Sequence, residues 1–154
     1  MSCQILTKTK MLTHLLNLHA EILRKRIVDE MTARGKNASG KTAAGLQIIV
    51  SDNGFKLIDN KGNLHYAEYG SAPHKDKRVS HGFAEIIKQW IKTKGLTVQG
   101  NENAVAFAIA MQLKRKGSRQ YQSGIPAGII QAAMNKDYTD RLINEISKQL
   151  TVRC

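Results

Sequence analysis

The longest regular pattern in the sequence is an uninterrupted amphipathic stretch from Met11 to Met31. Apolar side chains recur there at intervals of three and four residues, the spacing of one face of an α-helix. No proline or glycine interrupts the stretch, and Gly35 follows as a natural stop. The pattern predicts a long helix that must bury one face. His19 lies on that face, where we expect a packed core residue.

The charge of the chain is strongly positive. Its 154 residues contain 24 Lys and Arg against 12 Asp and Glu, a formal net charge of +12. Such a charge suits a protein that works beside nucleic acid, an anionic surface or an acidic protein. Apolar residues make up 42% of the chain, which excludes a wholly disordered protein.

The length fits a single domain over residues 1–154, with residues 1–10 and 151–154 expected to be flexible or arm-like. Cys3 and Cys154 cannot build the disulfide framework of a small secreted protein, so we expect a reducing compartment. No apolar run approaches the roughly 18–20 residues of a membrane helix, so we expect no membrane partner.

A small-residue segment from Gly35 to Gly45 contains the literal phosphate-loop pattern, ending in Gly40-Lys41-Thr42. A phosphate loop must follow a strand and open a helix, so that backbone N–H groups face the phosphates. Here we expect a loop with a helix before it and a strand after it. The context therefore argues against nucleotide binding.

The next segments are typical of an antiparallel sheet. Leu46–Val50 and Phe55–Ile58 flank the turn residues Asp52-Asn53-Gly54, and a second turn at 60–63 leads to a third predicted strand, Leu64–Tyr69. Residues 151–153 could add a short edge strand. The fold class predicted is α+β, with a long N-terminal helix and a three- to four-stranded antiparallel β-meander covered by two to three further helices.

Those further helices carry clear start and stop signals. Ser80 is a plausible N-cap for a helix that Gly95 ends, with an apolar stripe in which we expect Trp90 to be core. Asn101 or Asn103 can cap a helix over residues 104–116, apolar on most sides and expected to be deeply buried at its start. Residues 118–128 are expected to form a loop. A last helical region covers about 129–150, broken near 135–137.

Chemically active residue types do not form a recognisable site. His65, His74, Asp76 and His81 lie close in sequence, but they lack the short paired spacings of a structural zinc site. His65 and Glu68 would lie on opposite faces of a strand. We predict no catalytic, cofactor or metal residue, and hence a protein that is not an enzyme. A small metal-dependent nuclease built on His74, Asp76 and His81 is the least favoured alternative.

The candidate interaction sites are two basic segments, the loop Pro73–Val79 and the turn Lys114–Arg119, because neither is an apolar stripe. They could grip phosphate, or form the rim of a protein interface, or simply be solvated surface. The candidate residues are Lys75, Lys77, Arg78, Lys114, Arg115, Lys116 and Arg119.

Four segments follow one another in an informative order: Ser39–Leu46, Tyr66–Pro73, Ile87–Leu96 and Ala106–Ser118. The second has Glu68 two residues before Gly70, and the third contains Trp90-Ile91 followed by Lys94-Gly95. The fourth has the pattern A-x-A-I-A ending in Gly117-Ser118. This order resembles that of the tail-completion and neck proteins of tailed bacteriophages, a family of small α+β virion subunits, over roughly residues 12–146.

The resemblance implies a non-enzymatic virion protein, assembled in the host cytoplasm, that forms a homo-oligomeric ring at the head–tail junction or upper tail. Identical subunits would close the ring through heterologous contacts and leave a channel for the genomic DNA. The implied partners are other copies of the chain, neighbouring portal, connector or tail proteins, and DNA in the channel, with no cofactor. The alternative from charge alone is a basic accessory protein that binds nucleic acid non-specifically.

Overall fold

The computed structural model describes residues 2–37 and 40–151, with side chains from residue 10 onward. It confirms a mixture of helix and sheet in which helix predominates. In chain order the elements are α1 (Ser2–Ala33), α2 (Lys41–Gly45), β1 (Leu46–Ser51), β2 (Gly54–Asp59), α3 (Asn63–Tyr69), α4 (His81–Thr93), α5 (Glu102–Lys116), α6 (Arg119–Ser123), α7 (Ile129–Ala133) and α8 (Lys136–Thr151).

The chain forms two compact units. Unit 1 comprises Met1–Asn63 and Gly128–Cys154, and unit 2 comprises Leu64–Ala127. The predicted single domain with arm-like ends stays a prediction. Residues 1 and 152–154, which include Cys154, lie outside the described residues, as does the side chain of Cys3.

Unit 1 is organised around α1, which packs against the β1–β2 hairpin, α7 and α8. The long helix is confirmed, and its buried face follows the predicted periodicity. His19 is 0% exposed, as expected of a core residue, and the apolar residues buried on the same helix are Leu16, Ala20, Leu23, Ile27 and Met31. The break predicted near 135–137 is confirmed between α7 and α8, where the Asn135 side chain accepts a hydrogen bond from the Tyr138 backbone N–H at 3.1 Å.

The sheet has two strands among the described residues. β1 and β2 pair antiparallel from Leu46 opposite Asp59 to Ser51 opposite Gly54. The predicted third strand, Leu64–Tyr69, is wrong because this segment is helix α3. At the helical spacing of three and four residues, Leu64 shares a face with Ala67 and Glu68, and the latter two are buried. The segment is compatible with the periods of both a strand and a helix, and it forms the helix, in which Ala67 and Glu68 are buried.

Two predicted loops contain short helices. Residues 41–45 form α2, so the segment between α1 and β1 is not entirely loop. Residues 119–123 form α6, because Ser118 caps that helix by accepting a hydrogen bond from the Tyr121 backbone N–H. The predicted edge strand at 151–153 is wrong at Thr151, which ends α8, and residues 152–153 lie outside the described range.

Unit 2 is built on α4 and α5. Ser80 and Asn101 cap them as predicted, and their shared core consists of Ile87, Ile91, Ala106 and Ala110. The predicted deep burial of the start of α5 is wrong, since Ala104, Phe107 and Ala108 are exposed. Trp90 is also 44% exposed rather than core.

The apolar arc of α4 is wider than the surface that α5 covers. At 3.6 residues per turn, Trp90 and Ile86 lie roughly 60° and 100° around the helix from Ile87. The covered residues lie on the other side of Ile87 or next to it. Helical spacing alone could not distinguish the covered part of this arc from the uncovered part.

Among the described helices, none combines the length and the apolar character that a membrane crossing requires.

Candidate basic interaction site

The loop between α3 and α4 is bonded to the end of α5 through backbone groups. The His74 N–H donates to the Lys114 carbonyl at 2.9 Å, and the Ser118 N–H donates to the Ser71 carbonyl at 2.8 Å. The Ser71 N–H in turn donates to Ser118 Oγ at 3.0 Å. Three hydrogen bonds therefore hold the two predicted basic segments side by side.

Gly117 makes this close approach possible. Its φ is +76°, a conformation that glycine adopts far more readily than other residues. A Cβ added there would lie 2.6 Å from the Ser71 carbonyl oxygen and 3.1 Å from Pro73 Cδ. Any side chain at this position would push the loop away from α5.

The loop also organises itself before α4 begins. Asp76 Oδ1 accepts a hydrogen bond from the Arg78 backbone N–H at 2.9 Å, which closes a local turn. Ser80 Oγ then accepts from the Phe83 N–H at 3.2 Å and starts the helix. The single acid of the loop thus shapes the backbone that presents the neighbouring cations.

An open groove of about 530 Å³ lies between this loop and α5. The loop contributes residues 75–79, and α5 contributes Phe107, Met111 and Arg115. The three α5 residues are four positions apart, so they lie along one face of the helix. We call this cavity, with those eight lining residues, the basic groove. Its lining combines four cationic side chains, one acid and three apolar side chains.

The structure brings together four of the seven predicted cations. Lys75, Lys77, Arg78 and Arg115 line the basic groove. Lys114 lies elsewhere, with its Nζ 5.6 Å from the centroid of the Phe83 ring, where it lines a second cavity of about 540 Å³. Lys116 and Arg119 are exposed and line neither cavity.

Among the described residues, the cations of the site have no acidic partner. Within the described part of the chain, none of the seven predicted cations lies within 4.0 Å of a carboxylate oxygen. Other acids of unit 2 are engaged elsewhere: Glu85 lies 3.9 Å from Lys88, and Glu102 lies 3.8 Å from Lys92. Solvent ions or a binding partner must therefore balance the charge of the site.

Sequence reasoning missed Phe107 and Met111 as site residues, because it found this helix apolar on most sides through Met111 and expected its start to be deeply buried. Phe107 is 43% exposed and Met111 is partly exposed, and both line the basic groove. The signal was present in their spacing. Phe107, Met111 and Arg115 form one stripe, offset by one position from the buried Ala106 and Ala110.

The histidines and acids considered for chemistry do not converge. Among the described residues, no group of three His, Cys, Asp or Glu side chains is placed to hold a metal ion. The strand placement of His65 and Glu68 was wrong, since both lie in α3. There His65 is exposed beside the rings of Tyr66 and Tyr69, whereas Glu68 is 3% exposed. The Gly40-Lys41-Thr42 segment follows helix α1 rather than a strand.

No family model, curated protein or solved structure matches this chain. The resemblance to phage neck and tail-completion proteins thus depends on the sequence motifs. Three of the four motif segments lie in unit 2, where they form α3 with the following loop, the end of α4, and α5.

Proposed function

We propose that this chain is a non-enzymatic structural subunit of a tailed bacteriophage, which forms a ring at the head–tail junction or upper tail. The order of the four motif segments supports this family of virion proteins. The structural observation that carries the proposal is the uncovered apolar row on α4. A ring subunit needs such surfaces because it stays incomplete until its neighbours cover them.

The uncovered row consists of Ile86 and Trp90. They are 64% and 44% exposed and lie one turn apart on α4. Tryptophan in particular is enriched at the energetic centres of protein interfaces. Because Ile87 and Ile91 on the same helix are buried, the row lies on an ordered helix and is presented in a fixed orientation.

Unit 1 offers a different apolar surface. Exposed apolar residues lie on α1 and α8: Met11, Leu18, Ile143 and Leu150. A groove of about 300 Å³ is lined by the apolar residues Met11, Leu15 and Leu18 and by the polar residues Lys10, His14 and Gln149. Heterologous contacts join two different surfaces of identical subunits and can close into rings. We therefore propose that the α4 row of one copy packs into this groove, between α1 and α8, on the next copy.

The first experiment measures the oligomeric state of the purified chain by light scattering and negative-stain microscopy. The parent should form rings, and the double variant Ile86→Ser, Trp90→Ser should remain a folded monomer. Ile49→Ser is the matched control, since Ile49 is 52% exposed on β1, outside both proposed surfaces. A parent that stays monomeric at high concentration, or rings that survive the double substitution, would contradict the proposed contact.

A second experiment tests the place of the ring. An antibody against the chain should label purified phage particles at the head–tail junction, where we expect neighbouring portal, connector or tail proteins to contact it. Rings in solution with no label on the particle would separate ring formation from a virion role and would count against the virion role.

Non-specific binding of nucleic acid is the second candidate function, favoured by cations that have no carboxylate partner among the described residues. Phosphate contacts of this kind release counterions, so the affinity for duplex DNA would fall steeply with salt. The variant Lys77→Glu, Arg78→Glu would reduce both the affinity and the slope. Strong, salt-sensitive DNA binding by the parent would favour this candidate, and weak binding would leave the structural role.

A further inference from the structure

We infer that the basic groove binds an acidic segment of another protein that carries apolar anchor residues. The inference takes its biological setting from the proposed function, but it concerns a different surface from the α4 row. The argument depends on three properties of the groove: its mixed lining, its dimensions and its fixed backbone.

The lining matches an acidic and apolar ligand. Phe107, Met111 and Val79 provide apolar contact, while the cations come from both walls: Arg115 from α5, and Lys75, Lys77 and Arg78 from the loop. An acidic segment would neutralise side chains that have no carboxylate partner in the described part of the chain. Its apolar residues would cover Phe107 and Met111, and complementary charge would set its orientation.

The dimensions fit a short peptide segment. From Phe107 to Arg115 the α5 wall extends about 12 Å, at 1.5 Å per residue. An extended chain rises about 3.3 Å per residue, so the wall accommodates about four residues. Along this wall the apolar residues come first and Arg115 last. The bound segment should therefore place its apolar anchor near Phe107 and an acid near Arg115.

Duplex DNA fits these features less well. Phosphate contacts are made by cations, polar groups and backbone N–H groups, and they do not use apolar side chains such as those in the lining of the groove. Phosphates bound to the groove cations would leave the apolar side chains of Met111 and Val79 uncovered. The groove therefore favours a protein segment over nucleic acid.

The backbone around the groove is held before any ligand arrives. The bond from the His74 N–H to the Lys114 carbonyl fixes the loop against α5, and the Asp76 turn fixes the backbone at Arg78. A preorganised loop lowers the entropic cost of binding. Recognition can therefore occur without refolding of the loop.

The test measures fluorescence anisotropy of labelled probes with the full chain. The first probe is a short peptide of Asp and Glu with one Phe and one Leu. The second replaces Phe and Leu by Ser, the third replaces the acids by Asn and Gln, and the fourth is duplex DNA. We expect the first peptide to bind about tenfold more tightly than either peptide control, because each control loses one of the two kinds of contact.

Adjacent residues supply the matched variants. Arg115→Glu and Lys116→Glu change the net charge equally, but only Arg115 lines the groove. Arg115→Glu should weaken binding of the first peptide about tenfold, through like-charge repulsion, while Lys116→Glu should change it little. Phe107→Ser, at an exposed position, provides a second groove variant if Arg115→Glu fails to fold.

The inference would be overturned by no binding of the first peptide, by equal binding of all peptides, or by equal effects of the Arg115 and Lys116 substitutions. Preferential binding of duplex DNA would also overturn it and would favour the nucleic-acid candidate. Peptide binding is measured independently of ring formation, so failure here is distinguishable from failure of the proposed function.

Discussion

The two compact units carry the same formal net charge but differ in how their charged side chains are paired. Unit 1 has 14 Lys and Arg against 8 acids, and unit 2 has 10 against 4, so each is at +6. In unit 1 five close ion pairs join side chains along its helices: Glu21–Arg24, Lys25–Asp29, Glu30–Arg34, Lys136–Asp140 and Arg141–Glu145. In unit 2 the pairs Glu85–Lys88 and Lys92–Glu102 are longer, at 3.9 and 3.8 Å, and the groove cations have no carboxylate partner among the described residues.

The polar groups that join α1 to α7 and α8 show how charged side chains are used in unit 1. Glu145 accepts from Arg141 Nε at 2.8 Å, and its other oxygen lies 2.9 Å from His19 Nε2. Tyr138 donates to the His19 carbonyl at 2.9 Å, and Arg26 Nε donates to the Ala133 carbonyl at 2.7 Å. The contacts made by His19, Tyr138 and Arg26 join residues that are 126, 119 and 107 positions apart, whereas Arg141 and Glu145 lie one turn apart on α8. The net charge of a unit therefore does not show where an interaction site lies. The informative property is whether each charged side chain has a partner within its own unit.

The largest expected effect concerns the core of unit 2. Ile91 is 2% exposed between α4 and α5, so Ile91→Ala should lower the free energy of unfolding by about 2–5 kcal/mol. The adjacent Trp90→Ala should cost only about 1 kcal/mol, because much of that side chain is already in water. Chemical denaturation followed by circular dichroism measures both. Equal losses would show that the α4 row is covered in the isolated chain.

That pair of residues also shows how far the sequence could be interpreted. The 3.6-residue period identified α1, α4, α5 and the two parts of the last helical region, and the caps Ser80 and Asn101 located two helix starts. Periodicity reports which residues are apolar, but it does not report how many neighbours will cover them. The sequence analysis therefore expected burial of Trp90 and of the start of α5, which includes Phe107. Each of these two helices packs against a single partner helix, and that is not enough to cover both side chains.

The site was predictable in its parts but not in its assembly. Loop composition identified the cations of the basic groove, but nothing local indicates that the His74 N–H meets the Lys114 carbonyl 40 residues away. The prediction of a third strand was wrong for a similar reason. A segment of seven residues fits both periods, and its burial in the folded unit, not its own propensity, decided for helix α3.

The next effect tests the backbone contact that forms the groove. Gly117→Ala should cost about 2–3 kcal/mol, since it combines a positive φ with a clash against the Ser71 carbonyl. Gly95→Ala is the matched control, with φ of +63° and no atom within 4 Å of the added Cβ, and should cost about 1 kcal/mol. If both substitutions cost the same, the close approach of loop and helix does not contribute to stability.

A smaller effect tests the polar contacts of unit 1. Burial raises the pKa of Tyr138, so its hydroxyl remains a protonated donor to the His19 carbonyl over the physiological range. Tyr138→Phe removes this hydrogen bond and keeps the ring, and it should cost about 1 kcal/mol. Thermal denaturation measures the change. A variant as stable as the parent would mean that the bond merely replaces one to water.

Acid should weaken unit 1 through Glu145. Its hydrogen bond from Arg141, and then that from His19, hold the pKa of the Glu145 carboxyl below its ordinary value of 4.5. A lowered carboxyl pKa contributes stability above the ordinary value, and this contribution is lost as the pH falls through the lowered one. Glu145→Gln should remove that part of the acid dependence, and Arg141→Gln should reduce it. An unchanged pH profile in Glu145→Gln would contradict the assignment.

The smallest effect bears most directly on the difference between the units. Lys25 pairs with Asp29 at 2.8 Å on the surface of α1, and Lys25→Ala should cost about 0.3 kcal/mol, the usual value of such a pair. Lys77→Ala should cost nothing or stabilise slightly, because it relieves repulsion among groove cations that form no ion pair with the described carboxylates. Added salt should diminish both effects, since it screens attraction and repulsion alike. A measurable loss of stability in Lys77→Ala would reveal an internal partner for that cation and would weaken the case that the basic groove is kept for another molecule.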